Sequence, residues 1–163
     1  MRSFVIAVAI VAFSAGCHAQ NNCPWLNVAT ASGALGGSSV LTMSKTGKNT
    51  ETCIFRLQAG SPAESLTVSV ATVSDSQNPE QALKAAESQC TSQAAPLSAI
   101  GNEAVLCADD AANSHGEQVI GRVRDQIFTI SITTEAAPSR DTANDLLAVK
   151  VKAIAEQVAG NLF

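Results

Sequence analysis

The residues of this chain with the chemistry to act are five cysteines, two histidines and a few short clusters of charge. The cysteines are of two kinds. Cys17 closes the stretch SAGC, which follows an apolar run from Phe4 to Phe13 headed by Arg2. That run is too short to span a bilayer, and with Ser14, Ala15 and Gly16 behind it the segment reads as a secretory signal peptide. Two processing routes are open. SAGC reads as a bacterial lipobox, which would make Cys17 the lipidated first residue, although Ser14 stands where leucine is usual. CHA before Gln20 has the small residues at alternate positions that ordinary signal peptidase needs. Residues 1–19 are therefore expected to be a leader, cleaved before Cys17 or after Ala19, and residues 20–163 a single domain.

Cys23, Cys53, Cys90 and Cys107 remain after either cut, and an even count in an exported chain marks disulfide pairing. None of the four stands in a C-x-x-C, so a thioredoxin-type redox motif is absent and a ribbon-type zinc site lacks paired ligands. His18 lies at the cleavage region, which leaves His115, in the turn-like NSHGE, as the one histidine of the expected domain. A histidine-rich metal site is excluded by that count. Asp109 and Asp110, near Asn113 and His115, lack the spacing of a calcium loop. No nucleophile motif is marked beside His115, so a solvated turn histidine is expected rather than a general base.

Two further stretches suggest binding. The glycines of GALGGSS follow a helix, whereas a phosphate loop places them before a helix N-terminus, where free amides meet the anion. In GRVRDQ, Arg122 and Arg124 are expected on one side of a strand with Val123 opposite, a small basic stripe suited to an anionic headgroup, a carboxylate or a partner protein. A solvated strand face is the plainer reading of the same pattern.

Ten Lys and Arg stand against fourteen Asp and Glu, a net charge of -4, and losing Arg2 with the leader leaves nine against fourteen, or -5. Nucleic acid is thereby an unsuitable partner. Tyrosine is absent and aromatics are 4% of the chain, so stacking platforms for sugars or bases are hard to build. No cofactor is implied.

The elements that must position these residues follow from periodicity and turn chemistry. CPWLNVATASGALGG reads as a short helix with Pro24 in its first turn, Gly36-Gly37 as its stop, and Trp25 or Leu26 buried with Ala29. Strands are expected over Val40–Ser44, Thr52–Gln58 and Leu66–Val73, separated by the turns KTGKNTE and AGSPAE. Asn78 caps a second helix with Pro79 first, in which Leu83, Ala86 and Cys90 share a face. TSQAAPLSAIGN reads as an irregular return. A strand near Glu103–Ala108 and a hairpin of Glu117–Val123 with Ile127–Thr133 come next. A closing helix from about Asp141 to Ala159 repeats Leu147, Val151, Ile154 and Val158 at helical spacing, with Gly160 as its stop.

The order helix, three strands, helix, three strands, helix favours an α+β domain with antiparallel sheet packed by helices. It also selects a disulfide pairing. Cys23 abuts the first helix and Cys53 shares a strand face with Phe55 and Leu57, the face that helix would cover. Cys90 continues the stripe of Leu83 and Ala86, and Cys107 shares its strand face with Val105. The pairs Cys23–Cys53 and Cys90–Cys107 follow, closing about thirty and about eighteen residues, worth ~3 to 4 kcal/mol each on the chain-entropy model.

CPWLNVATASGALGG, the cysteine of TCIFRL, IGNEAVLC, GRVRDQIFTISI and the closing amphipathic helix together resemble a group of small bacterial cell-envelope lipoproteins with a PsbP-like α/β sandwich. The resemblance covers nearly all of the expected domain. Its motifs are structural, so it implies a fold and an envelope location and brings no active site. The expectation from sequence is a noncatalytic extracytoplasmic domain, a cell-envelope lipoprotein attached to a membrane through Cys17, or periplasmic or secreted if cleaved after Ala19. It would bind an unidentified ligand or envelope protein. The alternative is a small secreted hydrolase with a site near Asp109, Asp110 and His115.

Overall fold

The computed structural model describes residues 22–46, 49–59, 63–135 and 140–163. The expected leader with both of its expected cleavage points, Cys17 and His18, lies outside the described residues, as do the centres of the turns KTGKNTE and AGSPAE. The elements in chain order are α1 (Val28–Leu35), β1 (Ser39–Thr46), β2 (Thr50–Leu57), β3 (Glu64–Thr72), α2 (Pro79–Glu87), β4 (Ala95–Leu97), β5 (Glu103–Ala108), β6 (His115–Val123), β7 (Gln126–Thr134) and α3 (Arg140–Leu162). The strands form one antiparallel seven-stranded sheet in the order β1-β2-β3-β7-β6-β5-β4. This is the α+β order expected from the sequence, with the three-residue β4 added at one edge.

Alternation along the strands sorts side chains to two faces. Cys53 and Phe55, Leu66, Val68 and Val70, Phe128, Ile130 and Ile132, and Val119 and Val123 line up across the register on the first face and are all buried. Helix α1 covers the β1–β3 side of that face, and α3 covers β6 and β7 with Leu147, Val151, Ile154 and Val158. Among the described residues the second face is covered where α2 crosses β6 and β7, burying Leu83 with Ile120, Ile127 and Cys107.

Helix α1 begins later than Pro24 and is shorter than expected. Asn27 caps it, its side chain accepting from the Thr30 N–H at 2.8 Å, and this is a stronger start signal than a proline three residues earlier. Leu26 is buried as expected, but Ala31 and Leu35 fill the interior while Ala29 is exposed. The helix stops at Gly36, whose φ of 76° is left-handed, and the Gly37 N–H returns to the Ser32 carbonyl at 3.0 Å. The segment read as an irregular return contains β4, whose Pro96 is tolerated because β4 is an edge strand. Gly160 does not end α3, which runs on to Leu162, where that side chain is buried and extends the stripe of Val158.

Cys23 is bonded to Cys53 and Cys90 to Cys107, the two pairs drawn from local order. The first clamps the segment entering α1 to β2, and the second ties the residues after α2 to β5. Paired cysteines of this kind fit an oxidising environment outside the cytoplasm. No described helix is long and apolar enough to cross a membrane.

Candidate functional site

The two arginines expected to form a stripe are separated by the hairpin. Strand β6 ends at Val123, and Arg124 sits in the two-residue turn to β7 with a left-handed φ of 55°. Its guanidinium lies over the Phe163 ring, 5.9 Å from the centroid, and the Arg124 backbone N–H donates to Asn102 Oδ1 at 2.8 Å. Arg122 stays on the second face, largely buried, 3.8 Å from the Glu103 carboxylate and donating to the Arg124 carbonyl at 3.2 Å. The turn thus sends the two guanidiniums to different neighbours, Arg122 to Glu103 and Arg124 to Phe163, and they do not form the strand-face stripe. The periodicity of two that suggested the stripe fails because the turn takes Arg124 off the strand.

Asp109 and Asp110 lie after β5, next to the turn that Ala111 and Ser114 close by a β-bridge. The Asp109 N–H donates to the Gly116 carbonyl at 2.9 Å, which fixes the backbone there. Asp110 and His115 do come together. The Asp110 carboxylate is 3.2 Å from His115 Nδ1, with both side chains partly open to solvent. A carboxylate there orients an imidazole, as in hydrolytic triads, but a triad also needs a nucleophile on Nε2. Among the described residues no Ser or Thr hydroxyl is hydrogen-bonded to that nitrogen. Two residues on, Glu117 shares the face with His115. Burial raises the pKa of its carboxyl above the ordinary value, Asp110 and Asp145 raise it further, and Lys152 opposes them. No group of three or more metal-ligating side chains gathers among the described residues.

A more convergent arrangement is a polar cleft of about 300 Å³ where β2 and β7 end and β3 begins. Arg56, Ser65 and Thr133 enter it from one sheet face, in the register Arg56↔Ser65 and Ser65↔Thr133. The Ser65 and Thr133 hydroxyls are hydrogen-bonded at 2.9 Å. Ser114 and Glu135 stand at its rim and are shared with a broader hollow over the 111–114 turn. Glu64 completes the lining and lies 3.6 Å from Lys150 of α3. Arg56 is exposed and makes no ion pair among the described residues.

The cleft therefore offers a free cation, a row of hydroxyls and a carboxylate within one small volume, a set suited to holding a polar ligand in a fixed orientation. Its Ser65 and Thr133 hydroxyls are bonded to each other, and His115, turned to Asp110, does not line it. These residues come from four segments and escaped the sequence reading. Alternation puts Arg56, Ser65 and Thr133 on the polar faces of their strands, but only the register across β2, β3 and β7 makes them neighbours.

No protein-family model matches the chain, and no curated protein matches its sequence.

Proposed function

We propose that this chain is a noncatalytic extracytoplasmic envelope domain, held at a membrane by lipid on Cys17, that recognises a polar ligand or a protein partner through the Arg56–Glu135 cleft. The observation carrying this reading is the convergence of a guanidinium without an ion pair among the described residues, hydroxyls bonded to one another, and glutamate carboxylates. Two disulfides support export, and the resemblance to small envelope lipoproteins with a PsbP-like sandwich supports the location. A thermal-shift screen of carboxylates, amino acids, amines and short acidic peptides tests the cleft. A ligand that raises Tm in the native protein and fails to do so in Arg56→Ala supports it. A ligand effect unchanged in Arg56→Ala and Glu135→Gln rejects the cleft. Intact mass of the native protein tests the anchor: an acyl mass on Cys17 is expected, and a bare N-terminus at Gln20 removes the membrane from the reading.

The second reading, a small secreted hydrolase, rests on the Asp110–His115 contact alone. Turnover of ester or amide substrates that disappears in His115→Ala would replace the binding proposal.

A further inference from the structure

The two edges of the sheet are unlike. Strand β4 is three residues long and contains Pro96, two of the features that stop an edge from pairing with another chain. Strand β1 has eight residues, no proline, and an unbroken register with β2 from Ser39 to Thr46, so no bulge twists it away. Its single charge, Lys45, is ion-paired to Glu51.

Which backbone groups β1 turns outward can be read from one hydrogen bond. The Gln58 N–H donates to the Ser38 carbonyl at 2.9 Å, which makes Ser38 and Gln58 a hydrogen-bonded pair in the register that continues as Ser39↔Leu57. Such pairs alternate along an antiparallel ladder. Val40, Thr42 and Ser44 therefore bond to β2, while Ser39, Leu41, Met43 and Lys45 direct their N–H and C=O groups away from the sheet. The Ser39 N–H is already taken by the Ser32 hydroxyl of α1 at 3.0 Å, and the two serine hydroxyls meet at 2.9 Å. What remains open among the described residues is a run of three outward residues, Leu41, Met43 and Lys45, symmetric about Met43.

We infer that β1 pairs antiparallel with β1 of a second copy of this chain, about a twofold axis at Met43. In that register Leu41 stands opposite the partner's Lys45, Met43 opposite the partner's Met43, and Thr42 opposite the partner's Ser44. The three outward residues of each copy then exchange both backbone groups, about six hydrogen bonds in all. Pairing ends where Ser32 has used the Ser39 donor.

Side chains fit the same register. Leu41 and Met43, half-buried against the first-face core, gain the partner's Met43 and the aliphatic stem of the partner's Lys45. On the other face Val40, 47% exposed, faces the partner's Thr46. The two Lys45 ammoniums lie on opposite sides of the axis, each beside its own Glu51, so no like charges meet. This match is to the strand itself, which is why a second copy is the occupant. An eight-residue strand is roughly 26 Å long, and with the α1 layer above it the strip is about 20 Å deep. Both copies together would bury about 1,000 Å², the lower end for specific association, so the dimer is expected to be weak and reversible.

Sedimentation of the purified full chain from about 1 µM to about 1 mM should show a monomer–dimer equilibrium, with a dissociation constant raised at least about tenfold by Met43→Lys, which sets two ammoniums face to face. Amide exchange of the native protein supplies a reading independent of any variant. The Leu41, Met43 and Lys45 amides should slow with concentration while those of β4 do not. A monomer at every concentration, or a dimer indifferent to Met43→Lys with those amides exchanging at one rate throughout, overturns the proposal. Slowing of the same amides only on adding an unrelated extended peptide also overturns it, and would assign the edge to another protein's strand.

Discussion

The ring of Phe128 occupies the space that a side chain at residue 121 would need: a Cβ placed on Gly121 would stand 2.4 Å from its Cζ and 3.0 Å from the Glu103 carbonyl oxygen. Gly121 and Phe128 are directly paired across β6 and β7, so the aromatic fills the gap left by the glycine. Both positions lie on the first face, beneath α3. Gly121→Ala should therefore overpack the interior and cost about 1–3 kcal/mol. For a chain of this size that is a fall in Tm of about 2–4 °C per kcal/mol, read by thermal unfolding with both disulfides intact. An unchanged Tm would mean that the ring moves aside without cost.

Glu117 gives the fold a pH dependence of its own. Its carboxyl is raised first by burial, then by Asp110 and Asp145, against the opposing pull of Lys152. A native pKa above the unfolded one means that the folded protein prefers the protonated acid. This contribution is complete below the unfolded value and is lost as pH rises through the native one. Glu117→Gln should raise Tm at pH 7 and leave it unchanged near pH 3, where the wild-type acid is already neutral. The reverse pattern would assign Lys152 the larger share of the balance.

Sequence patterning revealed the sheet more clearly than the cleft, and particular residues explain why. Leu66, Val68 and Val70 alternate against Thr67 and Ser69, and Leu147 to Val158 repeat at helical spacing, because burial on one face leaves its period in the chain. The disulfide pairs were legible from the same patterning, since Cys53 and Cys107 lie on apolar strand faces and Cys23 and Cys90 stand beside the helices that cover them, although both fall outside α1 and α2. The cleft has no such signature. Arg56, Ser65 and Thr133 look like ordinary polar strand positions until register brings them side by side, and Ser114 and Glu135 sit outside the regular strands. Strand β4 was hidden by Pro96, which reads as a breaker wherever an edge position is not already known. Arg124 was misread because strand alternation was carried one residue beyond the point where the hairpin turns.

His115→Ala and Asp110→Asn remove a contact that is partly open to solvent, so each should shift stability by no more than roughly 0.5 kcal/mol. Neither change should alter ligand effects that depend on Arg56, since His115 and Asp110 do not line that cleft. Chemical denaturation of the two variants checks the first point, and the thermal-shift screen the second. Loss of a ligand response in His115→Ala would place the binding site at the 109–115 turn instead.

The two disulfides should differ in how readily they open. Cys23 and Cys53 are both buried, whereas Cys90 is partly exposed although Cys107 is not. A thiolate must approach a sulfur directly, so a dithiol reductant has an open path only to the Cys90 side. Graded reduction of the native protein, followed by alkylation and peptide mapping, should label Cys90 and Cys107 first and Cys23 and Cys53 only as the fold is lost. The bonds span sequence separations of 17 and 30 residues. On the chain-entropy model these are worth about 3 and about 3.6 kcal/mol, so C90A/C107A should cost nearly as much stability as C23A/C53A. Their structural consequences should nevertheless diverge. Helix α2 has nine residues, too few to persist in water alone, and it covers a small separate cluster of Val73, Leu83, Ile120 and Ile127. Opening Cys90–Cys107 should speed amide exchange in α2 while β2, β3 and β7 stay protected. Loss of the Cys23–Cys53 bond acts on the main core, through the segment that leads into α1, and should lower protection across the β1–β3 half of the sheet. Simultaneous labelling of all four thiols, or uniform loss of protection in C90A/C107A, would show that the two faces unfold as one unit.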